Sequence, residues 1–387
     1  MIADLLKILT IVSALITAAS MMYCVLCIWV AAGFASQRKQ SPTPANEFPP
    51  VSILKPLKGT DAEMYACLLS HCVQNYPAYE ILFGVTNAQD TAIPLVEKLI
   101  QEFPGPAIRL VRCEKKLGAN GKVSSLAQLA AVASHDFLLI NDSDIRVEAD
   151  YLRTILSELQ EPGTGLVTCL YRGVPASTLP SKIEALSIST DFMAGVLVAR
   201  QIEGGLRFGL GSTLALRKRD LDAIGGFEAI ADYLADDYEL GRRIAERDLK
   251  VRLSESVVET YLPAYSVAGF FSHQLRWART IRASRPGGYA GLLFTFTLPW
   301  AVLTLVLARG ASWAWELFAA AFAFRATMAL ATARPVLRDR RFMQSIWLLP
   351  FRDFIAVPLW LAGLTGRTIV WRGEVFHLKN GKLTRDA

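Results

Sequence analysis

Four short apolar runs, separated by stretches of helical periodicity, set the pattern between residues 51 and 140. They are Val51-Ser52-Ile53-Leu54, Glu80-Ile81-Leu82-Phe83-Gly84-Val85, Ile108-Arg109-Leu110-Val111 and Phe137-Leu138-Leu139-Ile140. Runs of this length predict buried strands, and the helical patterns between them predict βαβ units. Such units build a mostly parallel sheet covered on both faces. Ligands of these sheets bind beyond the carboxyl ends of the strands. Polar clusters stand at those ends: Lys55-Pro56-Leu57-Lys58-Gly59, Thr86-Asn87-Ala88-Gln89-Asp90 and Asn141-Asp142-Ser143-Asp144. The expectation is an α/β domain over 51–285.

Longer apolar patterns bracket that domain. Residues 8–34 contain no charge, more than the roughly 20 apolar residues that cross a bilayer, and predict a retained anchor over 1–36. Arg38 and Lys39 follow, which by the positive-inside rule places the α/β domain in the cytoplasm. The stretch 37–50, with Ser41-Pro42-Thr43-Pro44 and Pro49-Pro50, reads as a stiff linker. Residues 286–387 form a second membrane region. There 289–307 and 311–333 predict two spans joined by a tight turn at Arg309-Gly310, and Glu316 and Arg325 within the second span require protein partners. The stretch 345–364 contains Arg352 and Asp353 and has basic residues on both flanks, so it is expected to be re-entrant or interfacial, ahead of a basic tail. One more apolar-faced helix is expected over 180–202, with Ile183, Leu186, Ile188, Phe192 and Val196 on one side. It is either core packing or an interfacial element that admits a lipid.

Composition agrees with this division. Of 387 residues, 52% are hydrophobic and 20% charged, and the mean hydropathy is +0.31; a soluble domain joined to membrane segments fits both figures. The formal charge of +6 is scattered or set beside apolar stretches, which favours an anionic membrane face and a phosphorylated substrate over nucleic acid. The six cysteines show no paired metal-ligand spacing and read as reduced packing residues.

Candidate chemistry concentrates where the fourth run ends. Asp142 and Asp144 are one residue apart, an arrangement that can hold a hard cation, Mg²⁺ or Mn²⁺, with coordination positions left for nucleotide phosphates. The plainer alternative is an Asp-rich turn capping the next helix.

An ordered set of motifs decides between them. Leu54-Lys55-Pro56-Leu57-Lys58-Gly59, Tyr76-Pro77-Ala78-Tyr79-Glu80, Gly118-Ala119-Asn120-Gly121-Lys122, Asp142-Ser143-Asp144-Ile145-Arg146-Val147, Asp236-Asp237-Tyr238 and Arg276-Trp277 together resemble the ceramide glucosyltransferase family and its bacterial relatives that glycosylate hopanoid lipids. The resemblance implies a GT-A nucleotide-sugar-binding domain flanked by transmembrane helices, and transfer with inversion at the anomeric carbon. It implies Asp237 as the base, beside Asp236, and Asp142 and Asp144 as metal ligands. Lys58, Asn87, Asp90, Lys122, Asp142, Arg276 and Trp277 fall to the donor, and Gly211, Ser212, Thr213 and His273 to the sugar pocket. Two positions depart from the family pattern: Asn87 stands where an Asp contacts the base, and His273 where Gln or Arg begins the Arg-Trp motif. The expected reaction moves glucose from UDP-glucose to the primary hydroxyl of a membrane lipid such as ceramide, at the cytoplasmic face of a bacterial plasma membrane. The alternative is transfer of N-acetylglucosamine from UDP-N-acetylglucosamine to a hopanoid lipid; a processive polysaccharide synthase and a catalytically silent lipid-binding protein rank below both.

Overall fold

The computed structural model describes residues 1–37, 47–105, 107–371 and 374–384. Arg38, Lys39, Arg372, Arg385 and most of the expected linker lie outside the described residues. The chain forms two compact units: Met1–Gln40, Ser177–Val198 and Tyr265–Glu374 in one, and Ser41–Ala176, Ala199–Ala264 and Val375–Ala387 in the other.

The second of these units is built on eight strands: β1 (Val51–Leu57), β2 (Tyr79–Val85), β3 (Ala107–Arg112), β4 (Phe137–Ile140), β5 (Ile145–Arg146), β6 (Thr164–Val174), β7 (Leu214–Arg217) and β8 (Lys250–Tyr261). Their order in the sheet is β3-β2-β1-β4-β7-β6-β8-β5. The neighbours β3-β2, β2-β1, β1-β4 and β6-β8 are parallel, while β4-β7, β7-β6 and β8-β5 are antiparallel. The sheet is therefore mixed but mostly parallel, as the four apolar runs foretold. Their alternation with helices supplies the crossover that a parallel pair requires. Leu138, Leu139 and Ile140 are fully buried, as befits a central strand covered on both faces. β4 pairs with β1 from Val51↔Phe137 to Leu54↔Ile140. That register sets the polar continuation of β4 beside Lys55, which lies inside β1 and is completely buried.

The other unit is helical. Its first helix, Ile2–Gln37, turns Ser13, Thr17, Ser20, Cys24 and Cys27 inward. Small side chains permit close approach: Thr17 Oγ1 is 3.2 Å from Thr304 Oγ1 and Cys24 Sγ is 3.4 Å from Thr297 Oγ1, so the helix Thr297–Leu307 runs antiparallel to it. Among the described residues, three helices are long and apolar enough to cross a membrane: Ile2–Gln37, Ser312–Val336 and Phe342–Gly363. The stretch 289–307 is not one straight helix, because it breaks at Phe296 with a 50° bend between Pro286–Thr295 and Thr297–Leu307. Arg309 and Gly310 both adopt positive φ, 53° and 73°, in the turn before the helix Ser312–Ala331.

Within the membrane-type unit, Arg325 is 1% exposed and donates to both oxygens of Asp353 at 2.8 Å and to Asp191 at 2.9 Å. Arg352 approaches Asp191 at 2.7 Å and Asp353 at 3.2 Å, closing a cluster of two cations and two anions. Glu316, by contrast, is exposed. Asp191 owes its position to a break in periodicity: the expected helix over 180–202 is Leu179–Ser187, a π turn at Ile188–Phe192, and Met193–Ile202. All six cysteines are buried and outside any disulfide.

Candidate active site

The carboxyl end of β4 is held by Asn141. Its amide donates to Tyr151 Oη at 2.9 Å and to the Ser212 carbonyl at 2.7 Å, and its Oδ1 lies 3.2 Å from His71 Nε2. These bonds fix the backbone where the chain leaves the sheet. Below the turn, Lys55 Nζ donates to the Asp142 carbonyl at 3.0 Å. Beyond it, β5 pairs with β8 through Ile145↔Thr260. The Thr260 hydroxyl donates to Asp144 Oδ2 at 2.8 Å, and the Tyr261 N–H to the Asp144 carbonyl at 3.0 Å. Asp142 and Asp144 are thus half-buried side chains on a clamped backbone.

Lys122 connects this turn to the second acidic pair. Asn120 caps the helix Gly121–Val132 by accepting from the Val123 N–H at 3.2 Å, and the first turn of that helix carries Lys122. Its Nζ lies 2.7 Å from Asp142 Oδ1 and 3.4 Å from Asp236 Oδ2. Asp236 and Asp237 open the helix Asp236–Ala245, where acidic residues favour the dipole. A Cβ at Gly211 would stand 3.2 Å from Asp142 Oδ2 and 3.2 Å from Asp237 Oδ2, so the two carboxylates flank one small residue. The Gly209 N–H donates to the Asp237 carbonyl at 3.2 Å, tying the glycine segment to the acidic helix.

The electrostatics follow from this crowding. Loss of water raises the Asp237 carboxyl to about 6, with the Asp236 and Asp142 charges adding to the rise and Lys122 and the Tyr238 N–H opposing it. Asp144 is likewise raised to about 6 by desolvation and the Asp142 charge, against the Thr260 hydrogen bond. Burial lowers Lys55 to about 8. Lys122 behaves oppositely: burial disfavours its charge, but Asp142 and Asp236 hold its pKa well above the usual value.

Other expected site residues take different places. Asn87 is exposed and its Oδ1 accepts from the Gln89 N–H at 2.9 Å, an Asx turn. Asp90 accepts from the Gly59 N–H at 3.0 and 3.1 Å and from the Ala92 N–H at 2.9 Å, joining the loops that follow β1 and β2; Lys58, in the first of them, is exposed. Ser212 and Thr213 are buried, with hydroxyls directed to the Cys169 carbonyl and to Tyr151. His273, Arg276 and Trp277 belong to the other unit, on the helix Val267–Ser284. There His273 Nε2 lies 3.1 Å from Glu184 Oε1 and its Nδ1 3.3 Å from Arg276 Nη2, while the Trp277 ring sits 5.4 Å from Phe192.

Sequence reasoning named Lys55, Asn120 and Asn141 only within clusters or motifs, with no role of their own, and passed over Thr260. For Lys55 a signal existed, a cation inside an apolar strand, which is rarely left without a task. Thr260 reaches Asp144 only through a cross-strand register, which no local motif encodes.

Among the described residues no group of three or more His, Cys, Asp or Glu forms a metal cage. Asp142 and Asp144 offer hard oxygen donors, a set that fits Mg²⁺ or Mn²⁺ when phosphate and water complete the shell.

Residues 9–384 match the family described as Glycosyl transferase family 21. Ceramide glucosyltransferase 1 of Caenorhabditis elegans is 25% identical over 360 residues, covering 89% of this chain and 74% of that protein. Ceramide glucosyltransferase of Komagataella phaffii is 35% identical over 116 residues, 29% of this chain and 23% of its own length. Among solved structures, the mannosyltransferase PcManGT from Pyrobaculum calidifontis, in complex with GDP-Man and Mn²⁺, superposes with a TM-score of 0.55 at 20% identity, over 92% of this chain and 97% of that one, which is a likeness of fold.

Proposed function

The chain belongs to glycosyl transferase family 21, and from that premise we propose that it transfers one glucose from UDP-glucose to the primary hydroxyl of a membrane lipid such as ceramide, inverting the anomeric carbon. The single observation that carries the reading is the convergence of Asp142 Oδ2 and Asp237 Oδ2, each 3.2 Å from where a Cβ at Gly211 would stand. It sets a carboxylate of the diphosphate end of the site next to a carboxylate free to act as base. The names of the relatives, ceramide glucosyltransferases, support the glucose and the lipid.

Asp237 takes the proton of the acceptor hydroxyl as that oxygen bonds to the anomeric carbon. The carbon–oxygen bond to the diphosphate breaks, and its electron pair leaves with UDP. A carboxyl raised to about 6 is ionised at neutral pH yet more basic than an ordinary aspartate, the compromise general-base catalysis favours. Lys122 holds Asp142 and Asp236 in place and keeps a positive charge beside the acidic groups. Asp142 and Asp144 would hold Mg²⁺ or Mn²⁺, which when bound supplies Lewis-acid neutralisation of the leaving diphosphate. With the anchor oriented by Arg38 and Lys39, the reaction belongs to the cytoplasmic face of a bacterial plasma membrane.

The test is UDP release by purified protein, with and without Mn²⁺, given UDP-glucose or UDP-N-acetylglucosamine and a ceramide, hopanoid or sterol acceptor. UDP-glucose with ceramide and Mn²⁺ is expected to be fastest, and Asp237→Asn to lower kcat by about 10²–10⁴-fold. Equal rates for wild type and Asp237→Asn would overturn the assignment of the base, and a preference for UDP-N-acetylglucosamine with a hopanoid would replace the substrates.

A further inference from the structure

The loop that delivers Asp236 and Asp237 is gripped from two directions, and one grip comes from far along the chain. On one side stand Gly118, Ala119 and Asn120. The Asn120 N–H donates to the Ala231 carbonyl at 2.8 Å, the Ala119 N–H to Asp232 Oδ1 at 2.9 Å, and the Asn120 amide to the Tyr233 carbonyl at 2.8 Å. Gly118 lies so close that a Cβ there would stand 2.6 Å from the Ala231 oxygen. The other grip is a β-hairpin of strands Glu374–Lys379 and Lys382–Thr384, which follows the membrane helices in sequence. The Leu383 N–H donates to the Asp232 carbonyl at 2.7 Å, and the Leu234 N–H donates to the Gly381 carbonyl at 3.1 Å. Between them Tyr233 pairs with Lys382 as an isolated bridge, and the Lys382 ammonium lies 5.2 Å from the centre of the Tyr233 ring.

The hairpin is built to hold this position. Its turn is Asn380-Gly381 with φ of 51° and 78°, and its register closes at Lys379↔Lys382, the two-residue geometry that asparagine and glycine favour. Phe376, Leu378 and Leu383 are buried. Three residues after Leu234 comes Asp237.

We propose that this hairpin is a positioning element for the catalytic pair: residues 381–383 fix the backbone of 232–234 and so set the reach of Asp237 toward the acceptor hydroxyl. The inference rests on Asp237 being the base. It extends the catalytic apparatus to a segment that carries no group able to take part in the chemistry. Displacement of a reacting group by about 1 Å can lower a rate about 10²-fold, whereas Asp142 and Asp144, which would hold the metal and the diphosphate, follow the end of β4.

The experiment uses the full chain with Leu383→Pro, which removes the N–H that reaches Asp232, and Val375→Ala, an exposed hairpin position outside those bonds. Readouts are kcat, UDP affinity in Mn²⁺ and the thermal midpoint. Leu383→Pro is expected to lower kcat at least ten-fold with UDP affinity within about three-fold of wild type, and Val375→Ala to retain a kcat within about three-fold. An unchanged kcat in Leu383→Pro overturns the proposal. So does a parallel fall in kcat, UDP affinity and thermal midpoint, which marks the hairpin as general scaffolding. Asp237→Asn is measured alongside: if it stays active, the base assignment fails, and if it is inactive while Leu383→Pro is fully active, the hairpin inference fails alone.

Discussion

Asp237 is a carboxyl group placed where its charge is unwelcome. Desolvation raises it to about 6, with Asp236 next in effect, against about 3.9 in an unfolded chain. Its protonated form is therefore the one folding favours, and the sign for stability follows. The contribution is fully present below pH ~4 and is lost as pH rises through the window from about 4 to about 6. In metal-free and donor-free protein, Asp237→Asn is expected to raise stability at pH 7.5 by on the order of 1–2 kcal/mol, and to leave it nearly unchanged at pH 4. Thermal denaturation at the two pH values checks this. The same group sets an acid limb in wild-type kcat/KM that breaks near 6, with the rate falling about ten-fold per pH unit below it. Asp142, Asp144, Lys122 and Asp237 stood out in the sequence by residue type and order, and the fold brings Lys122, Asp142 and Asp237 together. Lys55 and Asn120 did not, since each acts on a backbone carbonyl that only the folded register brings within reach.

Elements were legible to the extent that one period governed them. The four apolar runs became β1 to β4 because a buried strand needs nothing more than a short apolar stretch between breakers. Hydropathy is blind to a local change of direction, which is why 289–307 read as one span and is broken at Phe296, and why the π turn at Ile188–Phe192 was read as continuous helix. That turn carries Asp191 to Arg325, and the cluster it completes is neutral only as a whole. Removing one partner leaves a buried charge uncompensated, which destabilises by roughly 3–5 kcal/mol. Asp353→Leu is expected to lower the thermal midpoint of the detergent-solubilised protein sharply. Adding Arg325→Met removes the opposite charge and is expected to recover at least half of the loss. A double variant as unstable as the single one would assign the effect to packing instead.

For the whole molecule, two compact units and their secondary structure leave the sidedness of the helices to be read from charge. The Arg309-Gly310 turn and the basic stretch after Ala333 stand at opposite ends of the helix Ser312–Val336. By the positive-inside rule the basic end is expected on the cytoplasmic side. All six native cysteines are buried, so labelling with a membrane-impermeant maleimide has a low background in wild type. Ala311→Cys is expected to react in intact cells, and Arg340→Cys only after the membrane is permeabilised. The reverse pattern would overturn the proposed orientation of these helices. The basic flanks were legible because charge bias is a property of sequence alone. The grouping of Ser177–Val198 with the membrane helices was not, because an apolar-faced helix looks the same whether it packs in a soluble core or against another helix.

The hairpin at 374–384 adds an order in time. Its two bonds to the loop at 232–234 cannot form until residues 381 and 383 have been synthesised, which is after every helix from Pro286 to Gly363. The backbone that carries Asp237 is left half-gripped throughout that interval. A nascent chain therefore holds Lys122, Asp142, Asp144 and Asp237 well before the backbone at 232–234 gains its second set of bonds.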